Sequence, residues 1–443
     1  MQPIPVRADG AGEQNPPISR KAIAAATAGT ALESFDIAIY GFMAVTISKL
    51  FFPTADPALS LLMALGSYGV SFVMRPLGAA LLGAYADRRG RKAALSLSLT
   101  LMGIGSFAIA IMPTYSQIGL LAPLGIIAAR LLQGFSIGGE QASAATFLAE
   151  QHPHRRGEFT SWLFTAAGIT VVLASGIGTL LTTSLTPAQL DSWGWRLPFL
   201  FGALIYPLAV YIRRKTHETV EFSVAAKTKS PIRDAVTRQG GDIALAATLY
   251  AAGPILSYLI LFMPTYAATR LGLSLNAAFS AGIIAGLTMA ITAPFFGMLS
   301  DRIGRFRLMF PTAIAILLLS WPSFALLVAY PSWSTLVLVE ILFATLAAAY
   351  SSSSPALLAE LFPVATRTTG VALSGALSIT LFGGFAPLVL AALAGAGETL
   401  PSLYLMLGAA LAALALLRLR FRAAPLLGDA PVASGAQIHV KPS

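Results

Sequence analysis

The fold is decided by a short stretch that the chain carries twice, Gly83-Ala-Tyr-Ala-Asp87-Arg88-Arg-Gly90-Arg91-Lys92 and Gly297-Met-Leu-Ser-Asp301-Arg302-Ile-Gly304-Arg305. The two copies lie 214 residues apart, about half the length of the chain, and each directly follows a long apolar stretch. A charged turn that closes an apolar helix in both halves indicates two packed membrane bundles. Internal repeats of this kind are typical of secondary transporters.

The composition also indicates a membrane protein. Hydrophobic residues make up 56% of the 443 residues and charged residues only 11%, against roughly 25% charged in a soluble domain. Because roughly 20 apolar residues cross the hydrocarbon core as a helix, the chain is predicted to be an all-α integral membrane protein with 12 transmembrane helices in two six-helix bundles. The predicted spans are 22–50, 58–86, 93–113, 118–148, 159–184, 193–212, 242–268, 275–299, 307–330, 334–361, 368–396 and 400–422.

The basic residues predict how the chain is oriented. Most of the 29 lysines and arginines fall in one set of turns, which should face the cytoplasm together with both termini. The predicted organisation is a cytoplasmic tail over 1–21, a bundle over 22–212, a cytoplasmic linker over 213–241, a bundle over 242–422 and a disordered cytoplasmic tail over 423–443. The net charge of +10 follows from this topology, and its spread over many turns argues against a nucleic-acid partner.

Several classes of function find no support in the sequence. The chain has no cysteine, which excludes disulfides, thiolate metal sites and cysteine nucleophiles. It also lacks the Gly-x-x-x-x-Gly-Lys-Ser/Thr loop of an ATP-driven pump, and its four histidines fall in predicted loops or the tail. We therefore expect no enzyme, no metal and no other cofactor. A monomer in lipid is expected, and a channel or membrane nutrient sensor stays an alternative.

Longer strings carry a resemblance to a known family. The paired turns resemble the signature of the major facilitator superfamily. The strings that resemble its metabolite–proton symporter family are Glu33-Ser-Phe-Asp36-Ile-Ala-Ile-Tyr40-Gly41, Arg75-Pro76-Leu-Gly78 and Arg130-Leu-Leu-Gln133-Gly134-Phe-Ser-Ile-Gly138-Gly139-Glu140. Those that resemble bacterial citrate and tricarballylate carriers are Gln117-Ile-Gly-Leu-Leu-Ala-Pro123, Ser192-Trp-Gly-Trp195-Arg196 and Leu381-Phe-Gly383-Gly384.

The resemblance implies a function and a location. It implies uptake of a small organic acid, citrate-like, together with protons across the bacterial inner membrane. The proton gradient would drive transport without a cofactor. The family also includes carriers of 2-oxoglutarate, shikimate and betaines, so these substrates stay open. Ser34 stands where the family usually has a larger residue, which predicts a pocket of different size near the first span.

Six ionisable residues lie well inside the predicted spans, where a charge costs about 2.5–3.5 kcal/mol. Structural ion pairs among them are one interpretation, and handling of substrate and protons is the one we favour. The six residues are Glu33, Asp36, Arg75, Arg130, Glu140 and Glu340.

Glu33, Asp36 and Glu140 form the predicted proton-coupling group. Glu33 and Asp36 are three residues apart and share a helix face, and Arg75 is expected at a similar depth, so the three charges could meet near the midplane. Close carboxylates raise one another's proton affinity, and an arginine lowers it. Glu140 is added either as an exit proton site or as the partner of an arginine.

Arginines supply the predicted substrate site. Arg130 shares a helix face with Gln133, and its planar fork suits a carboxylate. Together with Arg75 it could clamp a di- or tricarboxylate, with Tyr40 as a further contact. The alternative is that Arg130 is a gating or structural residue. An internal offset of 210 residues, read from Leu148-Ala-Glu150 and Leu358-Ala-Glu360, places Glu340 opposite Arg130.

The two charged turns are predicted to act as a conformational latch, with Asp87 and Asp301 accepting hydrogen bonds from neighbouring helix ends and arginines. The alternative is that they only determine topology. The predicted latch residues are Gly83, Asp87, Arg88, Gly90 and Arg91, with Gly297, Asp301, Arg302, Gly304 and Arg305 in the second copy.

Overall fold

A computed structural model describes residues 31, 34–89, 91–137, 155–215, 231–363 and 367–423. The helices of the first half are α1 (Ser34–Phe42 and Ala44–Phe51), α2 (Pro57–Val73 and Arg75–Arg89), α3 (Arg91–Ile111), α4 (Leu121–Ile137), α5 (Arg156–Ser184) and α6 (Arg196–Lys215). Those of the second half are α7 (Pro231–Leu249 and Ala252–Thr269), α8 (Leu275–Ile303), α9 (Arg305–Ala329), α10 (Trp333–Ser351 and Ser354–Leu361), α11 (Arg367–Ser378 and Ala386–Ala396) and α12 (Pro401–Ala423).

The described residues form helices without strands, as predicted. Within these described ranges, eight helices are long and apolar enough to cross a membrane, or nine if the two pieces of α1, bent by 68°, form one span. Shorter apolar helices occupy Ser96–Ile111 and Leu121–Ile137. Each predicted span contains a helix, while the total of twelve spans and the cytoplasmic termini stay predictions.

Several helices begin and break where local chemistry requires it. Asp56 caps α2 by accepting a hydrogen bond from the amide of Ala58 at 2.8 Å, and Pro57 occupies the first turn, where no amide is needed. The same helix breaks at Met74, directly before Arg75-Pro76. Pro76 has no amide to continue the ladder, so this break places Arg75 at the start of a new helical segment.

Helical structure reaches into both ends of the predicted 213–241 linker. Helix α6 continues to Lys215 and α7 begins at Pro231. The backbone of Gln239 leaves helical geometry, with φ −126° and ψ 17°. The apolar part of α7 starts at this kink.

The two halves meet most extensively along α5 and α8. Glycines allow the close approach: a Cβ on Gly168 would lie 2.7 Å from the carbonyl oxygen of Gly286, and one on Gly297 would lie 2.5 Å from that of Gly157. Small residues at such crossings let membrane helices pack backbone to backbone. The contacts run antiparallel, so Gly157 and Asp301 mark one end of the molecule, called here the Asp301 end.

Glycines also hold α2 against α4 within the first half. A Cβ on Gly134 would collide with the carbonyl oxygen of Ser71, and one on Gly78 with that of Phe135. This contact fixes the two helices that carry Arg75 and Arg130 side by side.

Candidate functional site

A cavity of about 200 Å³ lies between the two halves. Helices α1, α2, α4 and α5 line it from the first half, and α7, α8, α10 and α11 from the second. Its walls are mainly apolar, with polar groups from Ser34, Arg75, Thr170, Tyr250 and Tyr258. Most lining residues lie in the halves of their helices nearer the Asp301 end.

Aromatic side chains close the opposite end of the cavity. The rings of Phe42 and Phe279 meet across the two halves with centroids 5.7 Å apart. On the other side of the interface, the ring of Phe72 fills the space above Gly384, and Phe385 fills that above Gly69. The far end is therefore sealed by direct packing of α1 on α8 and of α2 on α11.

Arg75 is the predicted substrate residue that faces the cavity. Its guanidinium lies 4.0 Å from the centroid of the Phe72 ring and interacts with the hydroxyl of Tyr258 on α7. Its Nε has no hydrogen-bond partner among the described residues. Arg75 thus spans the interface and keeps donor capacity for a ligand.

Arg130 lies one aromatic layer behind the cavity wall. Its side chain is only 1% exposed, and its guanidinium stacks 4.3 Å from the centroid of Tyr40 and 5.2 Å from that of Tyr68. Tyr68 in turn contacts the cavity-lining Tyr258, with ring centroids 6.2 Å apart. Tyr68 therefore lies between Arg130 and a residue of the cavity wall.

One edge of the Arg130 guanidinium is unused. Nη1 donates to Oε1 of Gln133 at 2.7 Å, whereas Nε and Nη2 have no hydrogen-bond partner among the described residues. The N–H groups of these two nitrogens point the same way along one edge of the planar group. This is the edge that makes two parallel hydrogen bonds to a carboxylate.

Asp36 lies at the other end of a hydrogen-bonded chain that starts at Arg130. Gln133 donates from Nε2 to Oγ of Ser106 at 2.9 Å, and Ser106 donates to Oδ2 of Asp36. The Tyr206 hydroxyl faces the same carboxylate. Asp36 is fully buried.

The expectation that Asp36 meets Arg75 is wrong. Asp36 faces Ser106 on α3 and α6, while Arg75 follows the break in α2 and faces the cavity and α7. Within the described residues, no ion pair joins Asp36, Arg75, Arg130 or Glu340 to another charged group. The arginine linked to Asp36 is Arg130, through two neutral side chains.

Other predicted residues cannot be placed in the site. Glu33, Glu140 and Gly90 lie outside the described residues. The surroundings of Gly83 and the side chains of Asp87, Arg88 and Arg91 are also outside the description, although their helices are described. Sequence reasoning missed Ser106, Tyr68 and Tyr206. Neutral polar residues in apolar helices carry no charge penalty, so the sequence offered no signal that distinguishes them.

The second charged turn connects the two halves at the Asp301 end. The carboxylate of Asp301 accepts hydrogen bonds from the amides of Gly157 at 2.9 Å and Glu158 at 2.8 Å, at the first turn of α5. Arg305 pairs with Asp301 at 2.6 Å and with Glu360 at 3.2 Å. Gly304 turns the chain with φ +94°, which favours glycine.

Glu340 is buried in α10. It is 0% exposed, and neither of its carboxylate oxygens has a hydrogen-bond partner among the described residues. No group of three or more histidine or acidic side chains within the described ranges could hold a metal ion.

Comparison with known proteins identifies the family. The Major Facilitator Superfamily matches residues 26–324. A citrate-proton symporter of Salmonella typhi is 36% identical over 377 residues, which cover 84% of this chain and 87% of the symporter. A glycine betaine/proline/ectoine/pipecolic acid transporter of Dickeya dadantii is 33% identical over 94% of this chain and 86% of its own.

The solved structures include a similar fold. The crystal structure of a D-xylose-proton symporter matches with a TM-score of 0.73 and 18% identity, over 89% of this chain and 96% of that one. With its long apolar helices, the chain is a multi-pass protein of the bacterial inner membrane. It belongs to the major facilitator superfamily and, within it, to the metabolite–proton symporters.

Proposed function

We propose that the protein imports a small di- or tricarboxylate, citrate or a close analogue, together with protons by alternating access. The observation that carries this proposal is the pair of buried arginines with unused donors, Arg75 at the cavity and Arg130 behind it. A citrate-proton symporter is among the similar relatives. The protein would act as a monomer, without a cofactor and without catalysing a chemical reaction.

The charges suit an acid. Arg75 and Arg130 place two positive groups near the centre of the first half, and the described cavity lining contains no acidic side chain. A carboxylate can take the free edge of Arg130, and a second carboxylate of the same molecule can take Arg75. Charge-assisted bonds of this type contribute about 1.5–3 kcal/mol each.

A betaine is the second candidate substrate, because a betaine transporter is also similar and aromatic rings can bind a quaternary ammonium group. Three of the aromatic rings near the cavity are already in contact with arginines: Phe72 with Arg75, and Tyr40 and Tyr68 with Arg130. This arrangement favours an anion over a cationic group.

Energetics require coupling to a cation. A trianion that enters a negative interior at 100 mV costs about 7 kcal/mol, at 2.3 kcal/mol for each charge. At least three protons for each trianion remove the opposing charge, and some of them can arrive on the substrate. Asp36 is the described carboxylate placed to bind one, and Glu33 and Glu140 are proposed to assist.

Alternating access needs a contact that opens and closes. We assign this role to the charged turns, in which Asp301 and Arg305 hold α8 against the start of α5. Gly297 would allow the close approach, Gly304 would turn the chain, and Arg302 would add a charge beside them. The first copy, with Asp87, Arg88 and Arg91, is proposed to act in the same way.

The function is tested by a thermal-shift screen with citrate, tricarballylate, 2-oxoglutarate, shikimate and glycine betaine, because a ligand that binds the native state raises the melting temperature. We expect citrate or tricarballylate to give the largest shift. Stabilisation by betaine alone would overturn the choice of substrate. Counterflow of labelled citrate in proteoliposomes is expected of a carrier and not of a channel or a sensor.

A further inference from the structure

Ser106 occupies the centre of the hydrogen-bonded chain between Asp36 and Arg130. Its Oγ accepts from Nε2 of Gln133 at 2.9 Å and donates to Oδ2 of Asp36. The carbonyl oxygen of Met102, one helical turn away, is a second possible acceptor at 3.1 Å. Ser106 and Asp36 are fully buried, and Gln133 and Arg130 are each 1% exposed.

A hydroxyl has one hydrogen to donate and two lone pairs that accept. When Asp36 is ionised it only accepts, so the hydrogen of Ser106 must point to it. When Asp36 is protonated, the acid can donate to Ser106, and the hydroxyl can turn to the Met102 carbonyl. Every hydrogen bond of Ser106 is satisfied in both states without movement of the helices.

The orientation of Gln133 is fixed by its neighbours. An arginine has donors only, so the amide oxygen of Gln133 must face Arg130 and its nitrogen must face Ser106. The amide therefore keeps this orientation in both protonation states of Asp36 and holds Arg130 in line with Ser106. The free Nε–Nη2 edge of Arg130 lies beyond this contact.

We infer that Ser106 is the positioning residue that couples protonation of Asp36 to anion binding at Arg130. An ionised Asp36 compensates the guanidinium through Ser106 and Gln133. A proton on Asp36 removes this compensation and turns the hydroxyl to Met102, and Arg130 then attracts a substrate carboxylate more strongly. Proton and anion thus favour each other's binding, which symport requires, and the inference rests on the function proposed above.

Within the part of the chain that the structure describes, Asp36 is faced by groups from three other helices. Ser106 approaches from α3, Tyr206 from α6 and the charge of Arg130 from α4, and Gly202 of α6 packs against the carboxylate. Arg130 is the charged group among them. The pH dependence of substrate affinity should therefore depend on the hydrogen bonds that connect Asp36 to Arg130 through Ser106.

The test compares citrate affinity at pH 5.5 and pH 7.5 in purified wild-type protein, Ser106→Ala and Ser98→Ala. Ser98 is the matched control, since it is also buried on α3 and donates across to α4, to the Ser136 carbonyl at 2.5 Å, far from Asp36. The titration of citrate itself contributes equally in all three proteins, so differences between their affinity ratios report on the protein.

The wild type and Ser98→Ala should bind citrate more tightly at the lower pH, with the same ratio. In Ser106→Ala this ratio should fall by about 10-fold, within the usual range of coupling between sites, while citrate still binds. Gln133→Met keeps the length of the side chain and removes the hydrogen bonds between Ser106 and Arg130. It should lose the same pH dependence, and it replaces Ser106→Ala in the test if that variant does not fold. Ser106→Thr, which keeps a hydroxyl, should retain the wild-type pH dependence of citrate affinity.

If Ser106→Ala and Gln133→Met both show the wild-type ratio of citrate affinities at the two pH values, the inference fails while the proposed function stands. An equal loss of pH dependence in Ser98→Ala would also overturn the inference, because the effect would then not be specific to Ser106. If the wild type binds no organic acid at either pH, the proposed function fails and the inference fails with it.

Discussion

Arg130 on α4 and Glu340 on α10 occupy positions related by the internal repeat, yet their surroundings differ. Arg130 has a hydrogen bond to Gln133, two aromatic rings against its faces and a link to Asp36. Glu340 is fully buried and has no hydrogen-bond partner among the described residues. An isolated buried charge is very costly, so Glu340 is expected to be neutral in this conformation.

The two halves therefore differ in how they hold polar groups. The first half holds charges in a connected network, which can respond to a proton or an anion. The second half contributes apolar walls, the Tyr258 hydroxyl and the Asp301 contact. Variants of Asp36, Arg75, Arg130, Asp301 and Glu340 test whether the two halves differ in this way.

Asp36→Asn should have the largest effect. Without a carboxylate that binds and releases a proton, the imposed gradient no longer drives accumulation. At 100 mV each lost proton lowers the accumulation ratio by about 50-fold, equivalent to 2.3 kcal/mol. Exchange of internal for external substrate should persist, since it needs no net proton movement. Labelled citrate in proteoliposomes measures both, and undiminished accumulation would contradict the assignment.

Arg130→Lys and Arg75→Lys should weaken citrate binding by about 10- to 100-fold each, because a lysine keeps the charge and loses the planar fork. Isothermal titration at constant pH measures the change. Arg196→Lys is a suitable control, since Arg196 lies near the opposite end and contacts Trp195 and the Met112 carbonyl. Equal weakening in the control would show a general loss of stability instead.

This site shows how far the sequence could be interpreted. The repeat at Asp87 and Asp301 predicts the two bundles, and the cost of a buried charge singles out Asp36, Arg75 and Arg130. The sequence grouped Gln133 and Tyr40 with Arg130, which they contact, but the partner of Asp36 could not be predicted. Ser106 lies 70 residues from Asp36 in the chain, and its neutrality gives no signal.

The depth of a residue along its predicted span was also insufficient to predict which charged side chains contact each other. Asp36 and Arg75 were expected at similar depth, but depth says nothing about the direction in which a side chain points. Arg75 follows the interruption of α2 at Met74 and lines the cavity, whereas Asp36 faces α3 and α6.

Asp301→Ala should have an intermediate effect on conformation. Loss of a helix cap costs about 1 kcal/mol, which shifts an equilibrium about 5-fold toward opening at the Asp301 end. The chain has no cysteine, so a single cysteine at Ala167 in the cavity wall can report access by its labelling rate. We expect faster labelling in Asp301→Ala.

The control for this measurement is Asp56→Ala. Asp56 also caps a helix, by accepting from Ala58, but it does so within its own segment and at the opposite end. It should leave the labelling rate unchanged. Equal acceleration by both variants would indicate loosening of the fold and not release of a specific contact.

Glu340→Gln should have the smallest effect. Because the carboxyl group is expected to be neutral in this conformation, the neutral amide should leave citrate uptake unchanged and lower the free energy of unfolding by about 1 kcal/mol, the common cost of a single substitution. Thermal unfolding measures this change. A loss of about 3–5 kcal/mol, as when a buried ion pair is broken, would show that Glu340 is charged and paired.

The central claim is that the buried charges of the first half couple an organic acid to protons. Its most direct test measures labelled citrate in proteoliposomes with an imposed proton gradient, with and without a protonophore. We predict accumulation above equilibrium that the protonophore abolishes and that Asp36→Asn lacks. Accumulation that survives the protonophore, or that is equal in Asp36→Asn, would contradict the account.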